Sequence, residues 1–586
     1  MTSFIAKAIA RLFICIAAFA STAALAHANG WRGASWPSHG GGVWDISQRT
    51  ARDLNPHPDI VEINLVAKER MVHLGNGVAT KMWTYNGSFP GPVIEGKVGD
   101  TLIVHFVNKL PEETTVHWHG LEVPAAMDGS SISQNPVQPG ETFTYKFKLL
   151  RASTYWYHPH IRGNEQVELG LQGMLIVHDP DDQWKRGLPR VEHTLVLDDI
   201  LLDEHGDVAP DVPTDPLEKS DYLLNGREGN FFLVNGKIQP RAFIPRDNVQ
   251  RFRLVNSANT RFMRISIPGH KVYQIGTDGG LLEEPVEIQP IRLIPDPNDP
   301  HKKISDPDLS KGLMLTPGER ADILVVGIGA KPVKFIWHDV PRGRHKNAYA
   351  PDGSIMLGDD ENDGKARPRL MASLKPIGPG GRHRHHGKPP SQLADIEPID
   401  VTGARKITVE LGHTPPAADG SVIFFVQRKE NVGQCPLPIP MPCPLPFPMV
   451  TPADAPSATP GETVILEVNN LTGGMHNFHL HGFFFQHIET QFFDMDNPDN
   501  NKIVPAERLE NKDTIRLPAR TGARMRSRSV TRLAVKLDDV GREGLIYAFG
   551  KTPGEDTSGG WLFHCHILEH SRNGMTSFLQ VVPEAD

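Results

Sequence analysis

The chain has 586 residues with 61 basic and 69 acidic side chains, a net charge of −8 with histidines neutral, which excludes the basic surface that nucleic acid or an anionic membrane requires. Hydrophobic residues at 39% and charged residues at 22% exclude disorder and a multispan membrane protein. Glycine (54) and proline (51) imply many turns between short strands, and the four cysteines, Cys15, Cys435, Cys443 and Cys565, exclude a disulfide-stapled scaffold.

Residues 1–26 read as a secretory signal peptide: Lys7 and Arg11 form a basic start, Leu12 to Leu25 an apolar run, and Ala24-Leu25-Ala26 a small-x-small cleavage site. No twin-arginine pair occurs, so the general secretion route is expected, with Cys15 lost with the peptide. No later run is long and apolar enough for a membrane span.

Strand-like runs follow at Thr101–Val107, Thr142–Lys148, Met174–Val177, His193–Leu197, Phe252–Val255, Ala321–Val326, Ile407–Leu411, Thr463–Val468 and Ser577–Val582, which predicts an all-β chain of sandwiches or barrels. An internal repeat links the first and last thirds. Gly99-Asp100-Thr101 leads to His117-Trp118-His119-Gly120, and Gly461-Glu462-Thr463 to His479-Leu480-His481-Gly482, each first histidine standing 18 positions after its glycine. Asn108 matches Asn470, and the run Tyr155 to Ile161 matches Trp561 to Ile567. The middle third echoes the unit only at Pro245 to Asn256, with no paired histidines after it. Three β-domains are therefore expected at 50–180, 190–375 and 395–586, with 376–394 as a Gly/Pro/His linker. The octad repeat at 435–449, CPLPIPMP then CPLPFPM, favours polyproline II. His383, His385 and His386 in the linker read first as a solvated basic loop and second as a low-affinity copper-capture site, and the sulfurs of Cys435, Met441, Cys443 and Met449 first as a rigid proline linker or loop cover and second as a cuprous delivery site. Trp156 and Trp561 read as core packing, and Asp278-Gly279-Gly280 as a turn.

The chemistry lies in four His-x-His pairs: His117/His119, His158/His160, His479/His481 and His564/His566. Side chains at i and i+2 of a strand share a face, so each pair offers two imidazoles to one side. Eight imidazoles exceed what one metal takes and suit a cluster of about three ions held between the two repeats. The last pair brackets Cys565, whose sulfur points to the opposite face, where His476, His570 and Met575 can complete a second site. Two histidines, a cysteine and a weak methionine form a blue-copper electron-transfer set. In the first repeat Pro159 stands in the place of Cys565, so that copy has no second site.

These motifs, HWHG at 117–120, WYHPH at 156–160, HNFHLHG at 476–482 and HCHILEHSRNGM at 564–575, resemble those of three-domain multicopper oxidases of the laccase type; Tyr85 to Pro92 resembles a further family signature. The resemblance runs from about residue 50 to the end and implies three consecutive cupredoxin-like Greek-key domains and four copper ions. It implies type 1 copper at His476, Cys565, His570 and Met575, and type 2 copper at His117 and His479. It places the type 3 pair at His119, His158 and His566 and at His160, His481 and His564. It implies that electrons from a small reducing substrate enter at His570, cross Cys565 and reduce O₂ to water, with Asp128, eleven residues after His117, as a proton relay. Relatives often carry a second acid after the last type 1 histidine; here that position is Ser571, leaving Glu569 or water as substitutes. The implied substrate is a phenol or aromatic amine; the alternative is a metallo-oxidase acting on Cu(I), Mn(II) or Fe(II) in copper tolerance, and a third class is a non-catalytic copper-binding protein. Export implies a periplasmic or secreted location.

Overall fold

The computed structural model describes residues 46–181, 187–189, 191–209, 212–297, 299–343, 367–378, 389–414, 416–429, 455–520, 527–542 and 560–582. The signal peptide, the linker histidines and the 435–449 octads lie outside the described residues.

Strand alternation builds the sheets. In Thr101–Lys109 the inward positions Leu102, Val104, Phe106 and Asn108 are buried and the intervening ones are not. Each fully buried aliphatic or aromatic side chain contributes roughly 1.5–3 kcal/mol. Ile60–His73 lies parallel to Thr101–Lys109 and antiparallel to Ala79–Tyr85, and Thr142–Lys148 closes the other side. The same order recurs in Phe231–Val234, Glu192–Ile200, Val249–Asn256 and Arg320–Val326, and again in Phe424–Arg428, Arg405–His413, Thr463–Asn470 and Ser527–Lys536. Each of these sheets has a partner. Ile94–Lys97, Gly173–His178, Ser153–His158 and His117–His119 form one. Arg241–Pro245, Arg369–Ile377, Val333–His338 and Met263–Ser266 form the second, and Ser457–Ala458, Thr576–Val581, Trp561–His564 and His476–Leu480 the third. The architecture is all-β, and three hydrophobic cores fill the spaces between the paired sheets. No helix among the described residues is long and apolar enough to cross a membrane.

One side chain marks the repeat in all three copies. Asn108, Asn256 and Asn470 each stand at or next to the end of their strand, accept the N–H two residues on (Leu110, Ala258, Thr472; 2.9, 3.1 and 2.9 Å) and donate to two carbonyls. The buried amide thus fixes the chain reversal that follows each strand, because a buried polar group left unpaired is costly. Register also shows what replaced the histidines in the middle copy. His117 pairs with His158 and His479 with His564; the corresponding pair is Arg264 with His338.

Two details differ from expectation. The strand Arg369–Ile377 runs two residues into the segment read as a loop from 376, and Leu393 within it is buried against Val249 and Leu324. A helix, Pro216–Asn225, rises from the middle copy; Asp215 caps it by accepting the N–H groups of Leu217 and Glu218, with proline at the first position.

Candidate metal centre

The two outer copies meet face to face, and their eight paired histidines converge. The arrangement has pseudo-two-fold symmetry. His117 stacks on His481 with centroids 3.9 Å apart, and its counterpart His479 stacks on His119 at 3.8 Å. His158 and His566 close one side, 5.5 Å apart and 5.7 and 4.9 Å from His119. On the other side the Nε2 atoms of His160 and His481 lie 3.4 and 3.1 Å from that of His564. Three all-imidazole donor groups result that can each hold a metal ion, His117/His479/His481, His117/His119/His158 and His160/His481/His564, and a fourth, His119/His479/Asp513, includes a carboxylate.

The outward ring nitrogens decide which lone pairs face the centre. His117 Nδ1 donates to the Asp128 carbonyl (2.7 Å), His479 Nδ1 to the Asp513 carbonyl (2.9 Å), His158 Nδ1 to Pro159 (3.0 Å) and His564 Nδ1 to Cys565 (3.0 Å). With those protons outward, Nε2 of each ring is left as the inward lone pair. His119 is reversed: Nε2–H reaches the Asp513 carboxylate at 3.1 Å, so Nδ1 faces in. The buried inward atoms His117 Nε2, His119 Nδ1, His158 Nε2, His479 Nε2 and both nitrogens of His566 have no hydrogen-bond partner. Metal-binding histidines are held in this way, one nitrogen on a protein oxygen and the other on the ion. Burial, and then the neighbouring imidazoles, push His158, His481 and His564 well below the ordinary histidine range, so these rings are neutral donors. The residues therefore fit a polynuclear metal centre.

Two aspartates occupy symmetric places. The carboxylate of Asp128 accepts from His481 Nδ1 (3.0 Å), and that of Asp513 accepts from His119 Nε2 (3.1 Å), so each holds the first histidine of its own copy by its backbone and the second histidine of the other by its side chain. Gly129, at φ +79°, lets the chain after Asp128 lie against Val116, where a side chain would collide with the backbone. Burial works to raise Asp128, but the His117 ring and the Ser130 hydroxyl outweigh it and hold its carboxyl below the usual range. Asp513 is held well below that range against burial, chiefly by the Arg320 guanidinium, which bonds both its oxygens.

Asp513 is the functional residue that the sequence reading missed. The strand that follows it, Thr514–Leu517, is brought beside His479 by register alone. The usable signal was the repeat, since a partner for Asp128 ought to exist in the second copy. Glu569, the expected substitute acid, instead bonds Thr260 (2.6 Å) and Asn259 (3.1 Å), and Ser571 bonds Thr576 (2.8 Å). Neither belongs to a donor group with the histidines among the described residues. Asp278 does lie in a hairpin turn, between Lys271–Thr277 and Gly280–Glu287. Its buried carboxylate also takes Lys512 (3.1 Å) and the Arg320 N–H (2.8 Å), so the turn anchors the groups behind Asp513. Trp156 packs in a core with Met174 and Val255 and stacks on His158 at 4.1 Å; Trp561 packs on Phe483.

On the far face of Trp561–His564, a separate set forms around Cys565. His476 Nδ1 and His570 Nδ1 lie 3.4 and 3.7 Å from its sulfur and 3.1 Å from each other. Their Nε2 atoms are engaged outward, with Thr472 Oγ1 (2.7 Å) and the Leu224 carbonyl (3.2 Å), which leaves Nδ1 of both toward the thiol. Met575 is fully buried in the same core, its carbonyl accepting from Cys565 N (3.1 Å) and its N–H donating to His570 (2.9 Å). Asn477, also unforeseen, accepts the His566 N–H at 2.8 Å and stands 3.6 Å from the sulfur, fixing the strand between the two sites. Burial pushes the Cys565 thiol up to about 12, so ionisation here needs a metal. Phe424 stacks on His570 at 4.4 Å, and the cavity above the ring, lined by Arg342, His413 and Met475, measures about 10 Å³.

Family models described as multicopper oxidase match residues 66–182, 441–542 and 543–585. The multicopper oxidase mco of Staphylococcus aureus is 32% identical over 221 residues, 36% of this chain and 46% of that protein, so the match spans about half the length of that relative. The laccase of Bacillus subtilis is 26% identical over 548 residues, covering 84% of this chain and 88% of its own. Among solved structures, a multicopper oxidase from Campylobacter jejuni described as a metallo-oxidase is similar with a TM-score of 0.66 and 25% identity, over 92% of this chain and 95% of that one.

Proposed function

From the premise that this chain belongs to the multicopper oxidase family, we propose that it is an exported oxidase that couples one-electron oxidation of a small reducing substrate to reduction of O₂ to water. The observation that carries this reading is the pair of donor sets, eight imidazoles on one side of a strand and His476/Cys565/His570 on the other, joined through the His564-Cys565-His566 backbone. Four bound copper ions would supply one-electron redox chemistry and dioxygen reduction. Met575 would complete the ligand set of Cys565, with His117 and His479 serving the type 2 ion and the other six paired histidines the type 3 pair. The chain's own part is to orient each ring from behind, with the Asp513 carboxylate holding His119 and that of Asp128 holding His481, to carry electrons from His570 through Cys565, and to relay protons toward the cluster at Asp128. The repeated strand order supports reading 50–180, 190–375 and 395–586 as three cupredoxin-like domains.

Two reductant classes fit different observations. Similarity to a laccase across most of the chain favours a phenol or aromatic amine. The cavity over His570 is lined by Met475 and His413, a soft thioether and an imidazole, which favours a metal ion such as Cu(I). Oxygen uptake by the copper-loaded protein, first with a substituted phenol and then with cuprous ion, separates them. Uptake with neither would defeat the oxidase reading.

A further inference from the structure

The middle copy carries no paired histidines, yet one of its loops lies between the two donor sets, a contact the proposed reaction does not use. Residues 316–319 connect the strands Leu313–Leu315 and Arg320–Val326. Asn256, the strand-end residue of that copy, holds the loop: its carbonyl accepts the Gly318 N–H (2.8 Å) and its N–H donates to the Glu319 carbonyl (3.0 Å). Glu319 closes the loop by accepting the Thr316 N–H (2.6 Å) and pairing with Lys512 (3.0 Å). Gly318, at φ +85°, lies so near the histidines that a Cβ there would stand 2.9 Å from the His119 ring and 3.0 Å from that of His566. The loop is thus pinned from behind and pressed against the cluster in front.

Asn477 of the third copy reaches this loop. It is fully buried, follows His476 in the strand His476–Leu480, and donates from Nδ2 to the Thr316 hydroxyl (3.1 Å) and the Pro317 carbonyl (2.7 Å). Its Oδ1 accepts the His566 N–H (2.8 Å) and stands 3.6 Å from the Cys565 sulfur. The amide has one satisfactory orientation. Turned over, it would set N–H against N–H at His566 and oxygen against oxygen at Pro317. The contact with the middle copy therefore fixes an oxygen, the negative end of the amide dipole, toward the sulfur. The peptide N–H groups of Ile567 and Asn477 also face the sulfur, and they stay when the side chain at 477 is replaced.

We propose that Asn477 is a positioning residue through which the middle copy lowers the reduction potential of a copper ion held by His476, Cys565 and His570, by locking a carbonyl oxygen against the thiolate. This rests on reading that set as the type 1 site. One electron arrives, Cu(II) becomes Cu(I), the thiolate stays bound and no proton moves, so the net charge of the set falls by one. The negative end of a fixed dipole beside the sulfur opposes that change, and polar contacts around a cysteine ligand tune such potentials.

The test is a redox titration of the full-length copper-loaded protein, followed by its thiolate-to-copper absorption. Asn477→Leu, close in shape and without polar atoms, is expected to raise the equilibrium constant for reduction about tenfold, ~59 mV for one electron. Asn477→Asp keeps an oxygen at that place, ionised or not, and should stay at or below the parent potential. Thr316→Val changes the middle copy alone and removes one of the two bonds that lock the amide. A rise of about threefold, ~28 mV, is expected there, and this variant decides if the leucine variant does not fold. A leucine variant at the parent potential overturns the proposal. So does a rise in the leucine and aspartate variants alike, which a loosened site would give and an oriented oxygen would not. A valine variant at the parent potential overturns the part assigned to the middle copy. Absence of the absorption band from the unmodified protein overturns the type 1 reading itself, a separate outcome.

Discussion

Replacing Asp513 with asparagine probes the residue that most distinguishes the folded site from the sequence pattern. The substitution keeps the shape and an oxygen acceptor but removes a charge that meets Arg320 at both carboxylate oxygens and His119 at 3.1 Å. Arg320 is fully buried, and among the described residues its other carboxylate partner is Asp278, at 3.4 Å, itself shared with Lys512. Removing one partner of a buried ion pair costs roughly 3–5 kcal/mol because the other charge is left uncompensated. The amide can also present N–H to His119, which would favour the wrong tautomer and turn its inward nitrogen from acceptor to donor. Loss of such an outer partner typically costs about 10–100-fold in metal affinity or activity. Two measurements follow: chemical unfolding of the metal-free protein, where a loss of about 3 kcal/mol or more is expected, and competition with a copper chelator, where the histidine cluster should lose copper first while the Cys565 absorption stays. Parental stability together with parental copper retention would refute the assigned role of Asp513.

Asp128→Asn should slow reoxidation by O₂ while substrate still reduces the Cys565 site, seen as a blue colour that bleaches normally and returns slowly; turnover unchanged at every pH would remove Asp128 from the mechanism. Met575→Leu should raise the potential of that site, because a weak donor to Cu(II) is lost, and a redox titration showing no rise would argue against coordination. With the thiol at about 12, binding of copper to His476, Cys565 and His570 must expel one proton from Cys565, while the His570 ring, held well below its ordinary range chiefly by burial, is already neutral. Affinity at that site should therefore rise about tenfold per pH unit between pH 6 and 9; a pH-independent affinity by chelator competition would mean that the thiolate is not a ligand.

The histidine pairs were legible because two local rules suffice for them: strand alternation puts i and i+2 on one face, and the repeat places the pairs symmetrically. The same alternation put Cys565 on the opposite face from His564 and His566. Asp513, Arg320 and Asp278 were not legible, because they reach the cluster through long-range register and through contacts from the middle copy, neither of which leaves a local pattern. The Arg264–His338 pair, where the outer copies carry paired histidines, is likewise visible only once strands are aligned by their pairing. The helix Pro216–Asn225 is a different case: an aspartate cap followed by proline was present in the sequence, but a composition rich in turns drew attention to strands. Asn108, Asn256 and Asn470 show how the echo in the middle third has a physical cause, since each amide pins the same chain reversal.

The most direct test of the central claim is copper content per chain, measured by mass spectrometry on the folded protein alongside a Cys565→Ser variant. The account predicts four copper ions in the parent and three in the variant, with loss of the blue colour and of turnover but retention of the histidine-bound ions, because the two donor sets lie on opposite faces of one strand and hold metal independently. A well-folded parent that takes up a single ion, or a serine variant that keeps its full complement and its colour, would contradict it.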